Sequence, residues 1–281
     1  MPLKEGKIGI EDRGFQFADG IYATIRVYNG VPFHIPEHLK RLERSAKSIL
    51  LSLPYSLERI EGISLNLIAR SSIKWGKLYI QITRGNAPRA HVFPKKVKPT
   101  FLAYVRKMKP HPESCYRKGI KTITVPDERW DRPHIKSICL LPNVLAAEQA
   151  RRAGAYEAIQ YDEKGFVTEG SATNAYMMKK DILYTYPAKE KILRGITRML
   201  VFDMAENIGL TVKAAKKRVV DFKNADEVFI SGSTVEVMPV VKIDQRTISN
   251  GKPGPWTRKL RRAFIEEVLA QCGSYQGYAE S

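Results

Sequence analysis

Lys136 is the residue whose surroundings most directly suggest chemistry. It stands among apolar residues between Ile135 and Leu141, whereas most lysines of this chain have polar neighbours. A lysine held away from water is more readily neutral, and its free amine is then available as a nucleophile or a base. Taken alone, the pattern also fits a strand-end lysine whose ammonium group reaches solvent, and that simpler interpretation is favoured.

Arg89 and His91 form a second candidate group, in a segment that follows an apolar strand pattern. Two residues apart in an extended segment, their side chains project in the same direction. An arginine fork and a histidine ring N–H can together bind a carboxylate. On pattern alone, a solvated loop with basic residues is the favoured interpretation.

Two further segments could hold a phosphate group. Gly195-Ile196-Thr197-Arg198 is predicted to begin a helix, where free backbone N–H groups and the helix dipole attract anions. Ser231-Gly232-Ser233-Thr234 follows a predicted strand and could supply more donors. Each segment is weak support by itself, because helix starts of this composition are common.

The elements that must position these residues are mostly strands in the first half. Residues 21–28 alternate between two faces, and Asn29-Gly30 predicts a hairpin turn that leads into a second strand at 31–35. Pro36 is predicted to open a helix with Leu39, Leu42, Ala46, Ile49 and Leu50 at helical spacing. Further strands are predicted at 78–83 and 101–105.

The second half is predicted to contain helices at about 143–153, 195–208 and 255–272, with strands at 120–125, 156–161, 166–168, 174–178, 182–185 and 228–230. Strands and helices interleave without regular βαβ alternation, which favours an α+β fold. Polar residues with Pro110 and Pro112 indicate a linker. We therefore expect an N-terminal α/β domain at 1–109, a linker at 110–118 and a C-terminal domain at 119–281.

Composition bounds the class of protein. The chain has 281 residues, 43% hydrophobic and 27% charged, with three cysteines and a formal net charge of +18. No apolar stretch approaches the ~20 residues of a membrane span, and the first residues lack the apolar run of a secretory signal. We therefore expect a cytoplasmic protein without a membrane partner. The cysteine spacing predicts neither disulfides nor a metal site.

The positive charge leaves a nucleic-acid-binding module as an alternative from a different class. Lysines and arginines are spread along the whole chain, however, and no nucleic-acid-binding motif accompanies them. A charged, solvated surface is the preferred explanation, so no nucleic-acid partner is expected.

Several blocks of sequence, in a fixed order, carry a family resemblance. They are Glu11-Asp12-Arg13-Gly14-Phe15-Gln16-Phe17, Asp19-Gly20-Ile21-Tyr22, Glu37-His38-Leu39, Arg41-Leu42, Thr83-Arg84-Gly85, Pro88-Arg89-Ala90-His91, Ile135-Lys136-Ser137, Val167-Thr168-Glu169-Gly170-Ser171, Gly195-Ile196-Thr197-Arg198 and Trp256-Thr257-Arg258-Lys259-Leu260. Together they resemble the class IV (fold type IV) enzymes that depend on pyridoxal 5'-phosphate (PLP), and among these the bacterial D-amino acid aminotransferases. Ordered blocks along nearly the whole chain are far more specific than any one block.

The resemblance implies a two-domain fold type IV enzyme whose C-terminal domain, 119–281, is the cofactor-binding domain. It also gives roles to individual residues. Lys136 matches the Schiff-base lysine, and Glu169 matches the carboxylate that faces the pyridine nitrogen of PLP. The remaining matches would bind the phosphate or pack on the cofactor ring: Arg41, Ile196, Thr197 and Ser233 for the phosphate, Leu193 for the ring. Helical periodicity alone puts Arg41 on the solvated face, so its role comes only from the resemblance.

Tyr22, Arg89 and His91 match the substrate-carboxylate trap of the D-amino acid branch, with Arg89 and His91 expected from the partner subunit of a homodimer. The implied reaction is ping-pong transamination between a D-amino acid of the D-alanine type and a 2-oxo acid such as 2-oxoglutarate or pyruvate. Some positions depart from that branch: Ala23 replaces an acidic residue, Ala172 and Gly232 replace hydroxyl residues, and Arg26 adds a cation on the strand face of Tyr22.

Two other activities on the same scaffold remain alternatives. A branched-chain L-amino acid aminotransferase and an aminodeoxychorismate lyase would share the lysine, the glutamate and the phosphate-binding residues. They build the substrate side differently, so Pro88-Arg89-Ala90-His91 is the stretch that favours the D-amino acid branch.

Overall fold

The computed structural model describes residues 3–188 and 191–277. The chain divides into two compact units. The first unit comprises Met1–Lys109 and Ile135–Leu140, and the second comprises Pro110–His134 and Leu141–Ser281. The short segment that contains Lys136 therefore groups with the N-terminal part of the chain.

The first unit is an antiparallel sheet with helices packed on it. Its strands are β1 (Gly20–Tyr28), β2 (Val31–Pro32), β3 (Gly76–Thr83) and β4 (Thr100–Lys107), in the spatial order β2-β1-β3-β4. Its helices are α1 (Arg13–Phe17), α2 (Ile35–Ser48) and α3 (Leu57–Ser71), preceded by a short 3₁₀ turn at Leu3–Glu5. The alternation predicted for β1 is confirmed, because Ile21, Ala23, Ile25 and Val27 all lie in the core with residues of α2 and α3.

The hairpin between β1 and β2 is confirmed as well. Asn29 and Gly30 both have positive φ angles, 49° and 80°, and Tyr28 pairs with Val31. Such a two-residue turn matches the twist of the flanking strands. Strand β2 is shorter than predicted because α2 begins at Ile35, one residue before Pro36, so proline occupies the first turn, where a missing N–H costs nothing.

The second unit is built on a nine-stranded mixed sheet in the order β10-β9-β8-β11-β12-β5-β6-β7, with β13 paired to β12. The strands are β5 (Ile120–Pro126), β6 (Glu157–Tyr161), β7 (Val167–Gly170), β8 (Asn174–Lys179), β9 (Ile182–Thr185), β10 (Thr211–Ala214), β11 (Glu227–Gly232), β12 (Glu236–Ile243) and β13 (Arg246–Thr247). The helices are α4 (Glu113–Arg117), α5 (Leu141–Arg152), α6 (Ile196–Asn207), α7 (Val219–Lys223) and α8 (Pro255–Cys272).

The domain boundaries predicted at 1–109, 110–118 and 119–281 stay predictions. The structure adds two facts about them. Helix α4 lies inside the predicted linker, and residues 135–140 group with the first unit although they fall within the predicted second domain. Within the described ranges, no helix is both long and apolar enough to cross a bilayer.

Candidate active site

The Lys136 segment is attached to the first unit through its backbone. The Lys136 carbonyl accepts a hydrogen bond from the backbone N–H of Tyr22 at 3.0 Å, and the backbone N–H of Ile138 donates to the carbonyl of Gly20 at 3.1 Å. The backbone N–H of Lys136 itself donates to Oγ of Ser45 at 3.2 Å. Strand β1 and helix α2 therefore fix the backbone on both sides of the lysine.

The side chain of Lys136 is held less firmly than its backbone. Its Nζ donates to the hydroxyl of Tyr22 at 3.1 Å and lies 4.3 Å from the centroid of the Tyr22 ring. The ring of Tyr22 in turn stacks on Tyr79, with centroids 5.8 Å apart. The structure thus brings two predicted residues, Lys136 and Tyr22, into direct contact.

Arg41 is buried, with only 5% of its surface exposed. It lies one helical turn before Ser45 on α2, on the helix face whose Ser45 contacts the Lys136 backbone. Its Nη2 is 3.4 Å from Nδ1 of His38, which is also buried. The solvated position that periodicity gives Arg41 is therefore wrong.

His38 is kept neutral beside these cations. Burial lowers the pKa of His38 well below its usual value of 6.5, and the charges of Arg41 and Lys136 lower it further. A neutral His38 avoids adding a third positive charge to this part of the first unit.

Arg89 and His91 share one contact in the first unit, the ring of Phe17. The Arg89 guanidinium lies 4.5 Å from the centroid of that ring, and the His91 ring centroid lies 5.5 Å from it. Both side chains belong to exposed residues. In the described part of the chain, neither of them hydrogen-bonds or stacks with Tyr22.

Two buried arginines that received no role from the sequence share the carboxylate of Asp19, and one of them, Arg13, binds the loop that carries Arg89 and His91. Arg13 donates to the carbonyl of Ala90 at 2.5 Å and pairs with Asp19 at 2.9 Å. Arg84 also pairs with Asp19, at 2.8 Å, and donates to the carbonyls of Ile49 and Leu50. A sequence signal existed, since both belong to the blocks that carry the resemblance, but the blocks do not show which arginine is structural.

Two of the positions that depart from the D-amino acid branch, Ala23 and Arg26, lie on strand β1 of this unit. Ala23 is buried in the core beneath the sheet, where a carboxylate would need a partner. Arg26 is buried near the far end of β1, and its Nη1 lies 3.4 Å from the carbonyl oxygens of Gly76 and Met108. Its guanidinium therefore serves main-chain acceptors there.

Glu169 is the centre of the second set of candidate residues. It lies in β7 with 3% of its surface exposed. Its carboxylate accepts hydrogen bonds from Nη1 of Arg129 at 2.5 Å, Nδ2 of Asn174 at 2.8 Å and the backbone N–H of Leu193 at 3.1 Å. Such a set of donors fixes the orientation of the carboxylate.

Arg129 is the counter-charge of Glu169, and the sequence gives it no role. Burial alone would lower the pKa of the Arg129 guanidinium, but the carboxylates of Glu169 and Asp127 outweigh burial and raise it. Burial raises the pKa of Glu169, and the Arg129 guanidinium opposes that shift. No local pattern marks Arg129, because its partner Glu169 is 40 residues away along the chain.

The residues around Leu193 connect Glu169 to the start of α6. Asn174 donates both to Glu169 and, at 3.0 Å, to the carbonyl of Leu193. Gly195 is the N-cap of α6, and a Cβ there would lie 2.2 Å from Oδ1 of Asn174. A side chain at position 195 would therefore displace the Asn174 amide, which is bound to both Glu169 and Leu193.

The start of α6 suits an anion. Within the described residues no side chain caps this helix, although Ile196 and Thr197 are buried. Buried N–H groups at a helix start need acceptors, and a phosphate group satisfies them together with the helix dipole. The hydroxyl of Thr197 adds a donor.

The turn between β11 and β12 contains Ser233 and lies beside the same region, because Ser231 pairs with Asn174 across β11 and β8. The Ser231 hydroxyl is bound to that of Tyr176 at 2.8 Å, so it has a partner inside the protein. A Cβ added at Gly232 would meet its nearest atom at 3.5 Å, an ordinary contact. Glycine is therefore not imposed there by packing.

Each unit thus carries one set of groups that fits part of a PLP molecule. The first has an amine that is lightly held by a phenol, and a buried arginine on the adjoining helix face. The second has a fixed carboxylate, an uncapped helix start and a hydroxyl-bearing turn. Among residues 3–188 and 191–277, no group of His, Cys, Asp and Glu side chains is arranged to hold a metal ion.

Comparisons with known proteins agree with this chemistry. The family model for amino-transferase class IV matches residues 20–243. A D-alanine aminotransferase of Staphylococcus aureus (strain N315) is 45% identical over 265 residues, covering 94% of this chain and 93% of the relative. A D-alanine aminotransferase of Bacillus licheniformis is 40% identical over 271 residues, covering 96% and 95%.

A solved structure is similar over the same length. A branched-chain amino acid aminotransferase from T.th. with pyridoxamine 5'-phosphate superposes with a TM-score of 0.89 at 27% identity, covering 96% of this chain and 92% of that one. The chain belongs to the class IV aminotransferase family. It has the fold type IV architecture and is a PLP-dependent transaminase, as the resemblance predicts.

Proposed function

We propose that the chain transfers the amino group of a D-amino acid of the D-alanine type to a 2-oxo acid such as pyruvate or 2-oxoglutarate, by a ping-pong mechanism. The observation that carries this proposal is the 3.1 Å hydrogen bond from Nζ of Lys136 to the Tyr22 hydroxyl. It joins the proposed reacting amine to a proposed substrate-binding group. Relatives of 40% and 45% identity that are D-alanine aminotransferases support the choice of substrate.

Lys136 is the proposed covalent attachment point of PLP. Glu169 would hold the ring nitrogen, Leu193 would pack on the ring, and Arg41, Ile196, Thr197 and Ser233 would hold the phosphate. The fixed carboxylate of Glu169 and the uncapped start of α6 support these roles. Bound PLP supplies an electron sink for the electron pair that remains when a bond at the substrate Cα is broken.

The Nζ amine of Lys136 moves the proton in this proposal. With PLP bound, this amine would take the proton from the substrate Cα and would later return a proton to complete the transfer. The Tyr22 hydroxyl limits where Nζ can go, because donor and acceptor are in contact. Glu169 keeps its negative charge in place through Arg129, Asn174 and Leu193, so no reorganisation is needed during the reaction.

The substrate carboxylate would be bound by Tyr22 together with Arg89 and His91 of a partner subunit. Two features support a contribution from a partner. Arg89 and His91 belong to exposed residues, and within the described ranges they do not contact Tyr22 of their own chain. We therefore propose a homodimer, and a location in the cytoplasm, where three free cysteines suit a reducing environment.

A branched-chain L-amino acid aminotransferase is the second candidate. It is favoured by the similarity to the T.th. branched-chain enzyme over 96% of this chain. Lys136 and Glu169 would keep their roles in it, whereas Arg89 and His91 would lose theirs. An aminodeoxychorismate lyase would also keep the lysine and the glutamate, but it would cleave its own substrate without transferring an amino group to a 2-oxo acid.

A paired half-reaction distinguishes these activities. The purified protein with bound PLP is mixed with D-alanine or with L-leucine, and the visible absorption band of the cofactor and the 2-oxo acid formed are followed. The proposal expects rapid loss of the band and formation of pyruvate with D-alanine alone. Reaction with L-leucine alone would move the chain to the branched-chain class, and reaction with neither would favour the lyase.

A further inference from the structure

The hairpin turn between β11 and β12 is followed by a residue with an unusual backbone conformation, Glu236. Gly232 pairs with Glu236, and three residues, Ser233 to Val235, form the turn between them. Glu236 has a φ of +59°, in the left-handed region that a side chain rarely adopts. Such a conformation persists only where the surroundings over-determine it.

The surroundings of Glu236 meet that requirement. Its Oε2 accepts hydrogen bonds from Nη1 of Arg261 at 3.0 Å, the hydroxyl of Tyr275 at 2.8 Å and the hydroxyl of Tyr116 at 3.3 Å. The Arg261 guanidinium also lies 3.5 Å from the centroid of the Tyr116 ring and donates to the Tyr275 hydroxyl at 2.9 Å. Three donor side chains therefore converge on a single oxygen of the Glu236 carboxylate.

A second anchor holds the middle of the same turn. Nε2 of His111 is 2.9 Å from the carbonyl oxygen of Thr234, a hydrogen bond in which the ring N–H donates. The hydroxyl of Tyr156 lies 3.1 Å from Nδ1 of the same ring. The turn is thus fixed at Thr234 from one side and at Glu236 from the other.

The two anchors draw on segments far apart in the sequence. His111 and Tyr116 precede β5, Arg261 is on α8, and Tyr275 follows Gly273, the left-handed C-cap that ends α8. None of these residues has a role in the proposed chemistry. Their common target is the turn that contains Ser233.

We propose that Arg261, Tyr275 and Tyr116 are positioning residues that hold the Ser233 turn, through Glu236, in the conformation that binds the cofactor phosphate. This inference rests on the proposed function of Ser233. The carboxylate and guanidinium form a buried pair, so losing Arg261 leaves a buried charge without its counter-charge, and Glu236 can then relax out of its left-handed conformation. The turn would lose its shape although Ser233 itself is unchanged.

The experiment uses the full chain with the variants Arg261→Met, Arg261→Lys and Tyr275→Phe. The matched control is Arg262→Met, because Arg262 is the next residue of α8 and is exposed. Each protein is freed of cofactor and titrated with PLP. Inorganic phosphate is titrated in the same way as a probe of the phosphate-binding groups alone, and thermal unfolding of each apoprotein is recorded.

We expect Arg261→Met to weaken binding of both PLP and inorganic phosphate by about tenfold, as is typical when a residue that orients a ligand-binding group is lost. Arg261→Lys keeps the charge and should recover most of that loss. Tyr275→Phe removes one donor and should weaken binding about threefold, close to the value of a single hydrogen bond. The Arg262→Met control should bind both ligands as the unaltered protein does.

A purely structural role predicts a different result. The apoproteins would unfold at lower temperature, but those that remain folded would bind PLP and phosphate with unchanged affinity, and this outcome would overturn the inference. If Arg261→Met does not fold, Tyr275→Phe and Arg261→Lys decide the question by the same comparison. Failure of the unaltered protein to bind PLP would instead refute the proposed function.

Discussion

The surroundings of Lys136 in the first unit and of Glu169 in the second differ in how tightly they hold a charged group. The backbone of Lys136 is tied down on both sides, but its Nζ contacts one phenol, that of Tyr22. Glu169 has its carboxylate bound by Arg129, Asn174 and the backbone of Leu193, and it is almost fully buried. The backbone of Lys136 is fixed while its Nζ has one hydrogen bond, whereas the carboxylate of Glu169 itself is fixed by several.

This difference follows from what each group is proposed to do. An amine that forms a bond, leaves and then carries a proton must sample several positions, so strong hydrogen bonds to its end would slow it. A carboxylate that stabilises a neighbouring positive charge works best when it is already oriented, since reorientation would cost free energy during the reaction. Changes to Lys136 should therefore affect turnover most, and changes around Glu169 should reveal how much orientation contributes.

The largest effect is expected from Lys136→Ala. Without Nζ there is neither a covalent attachment point nor a base, so kcat should fall by more than about 10⁴-fold. Steady-state transamination between D-alanine and 2-oxoglutarate measures this loss. Lys164→Ala, at an exposed position in the turn before β7, is the control and should retain full activity. Repeated turnover by Lys136→Ala would remove Lys136 from the mechanism.

Glu169→Gln tests the contribution of the Glu169 carboxylate, which several hydrogen bonds hold in one orientation. Glutamine keeps the size of the side chain but removes its negative charge. Arg129, which pairs with both Glu169 and Asp127, then keeps Asp127 as its ion-pair partner. We expect kcat to fall roughly 10²-fold, the usual cost of removing one pre-oriented electrostatic group. KM for D-alanine should change less than kcat. An exposed control, Glu163→Gln, should behave as the unaltered protein does, and an unchanged kcat in Glu169→Gln would show that the carboxylate is only structural.

Local sequence patterns predict some elements of the fold and miss others. Strand β1, the Asn29-Gly30 turn and helix α8 follow from local periodicity and turn chemistry, and they are confirmed. Helix α3 is not among the predicted elements, and neither is β12, which contains Pro239 in a position where a central strand normally has a backbone donor. Local rules fail there because pairing with β11 and β5 decides the structure.

The candidate residues divide in a similar way. Lys136 and Glu169 are identified by the ordered blocks that resemble a family, whereas their spacing alone favours simpler interpretations. The burial of Arg41 contradicts helical periodicity, because its neighbours on α2 include Ser45, which binds the Lys136 segment 91 residues away. Arg129 and Asn174 receive no role from the sequence, since the contacts that give them one exist only in the folded chain.

Arg89→Leu tests the proposed binding of the substrate carboxylate by a side chain whose contact in the first unit is the ring of Phe17. Arg89 contacts the ring of Phe17, whereas Arg84, five residues earlier, is bound to Asp19 and two carbonyls. If Arg89 binds the substrate carboxylate, its loss should raise KM for D-alanine by about tenfold to a hundredfold, the worth of a charge-assisted hydrogen bond, with a smaller change in kcat.

Arg84→Leu serves as the contrasting variant, because it removes a buried pair and should lower the unfolding temperature. Arg89→Leu should leave that temperature nearly unchanged. An unaltered KM in Arg89→Leu would exclude Arg89 from substrate binding and would favour an activity that builds the substrate side differently.

The smallest effect concerns His38, which stays neutral beside Arg41 in the first unit. Its pKa in the folded chain is well below 6.5, because of burial and then the charges of Arg41 and Lys136. Below pH 6.5 the unfolded chain therefore binds a proton at this histidine that the folded chain does not, so stability is complete above pH 6.5 and is lost as the pH falls. Between about pH 7.5 and about pH 5.5 this histidine should therefore lower the free energy of unfolding by an amount on the order of 1 kcal/mol.

Denaturant unfolding at both pH values tests this expectation for His38. The loss of stability should be smaller by this amount in His38→Gln and in His38→Asn, neither of which titrates. Equal losses in all three proteins would mean that His38 takes up its proton in the folded state, and the first unit would then tolerate one more positive charge beside Lys136 than its contacts suggest.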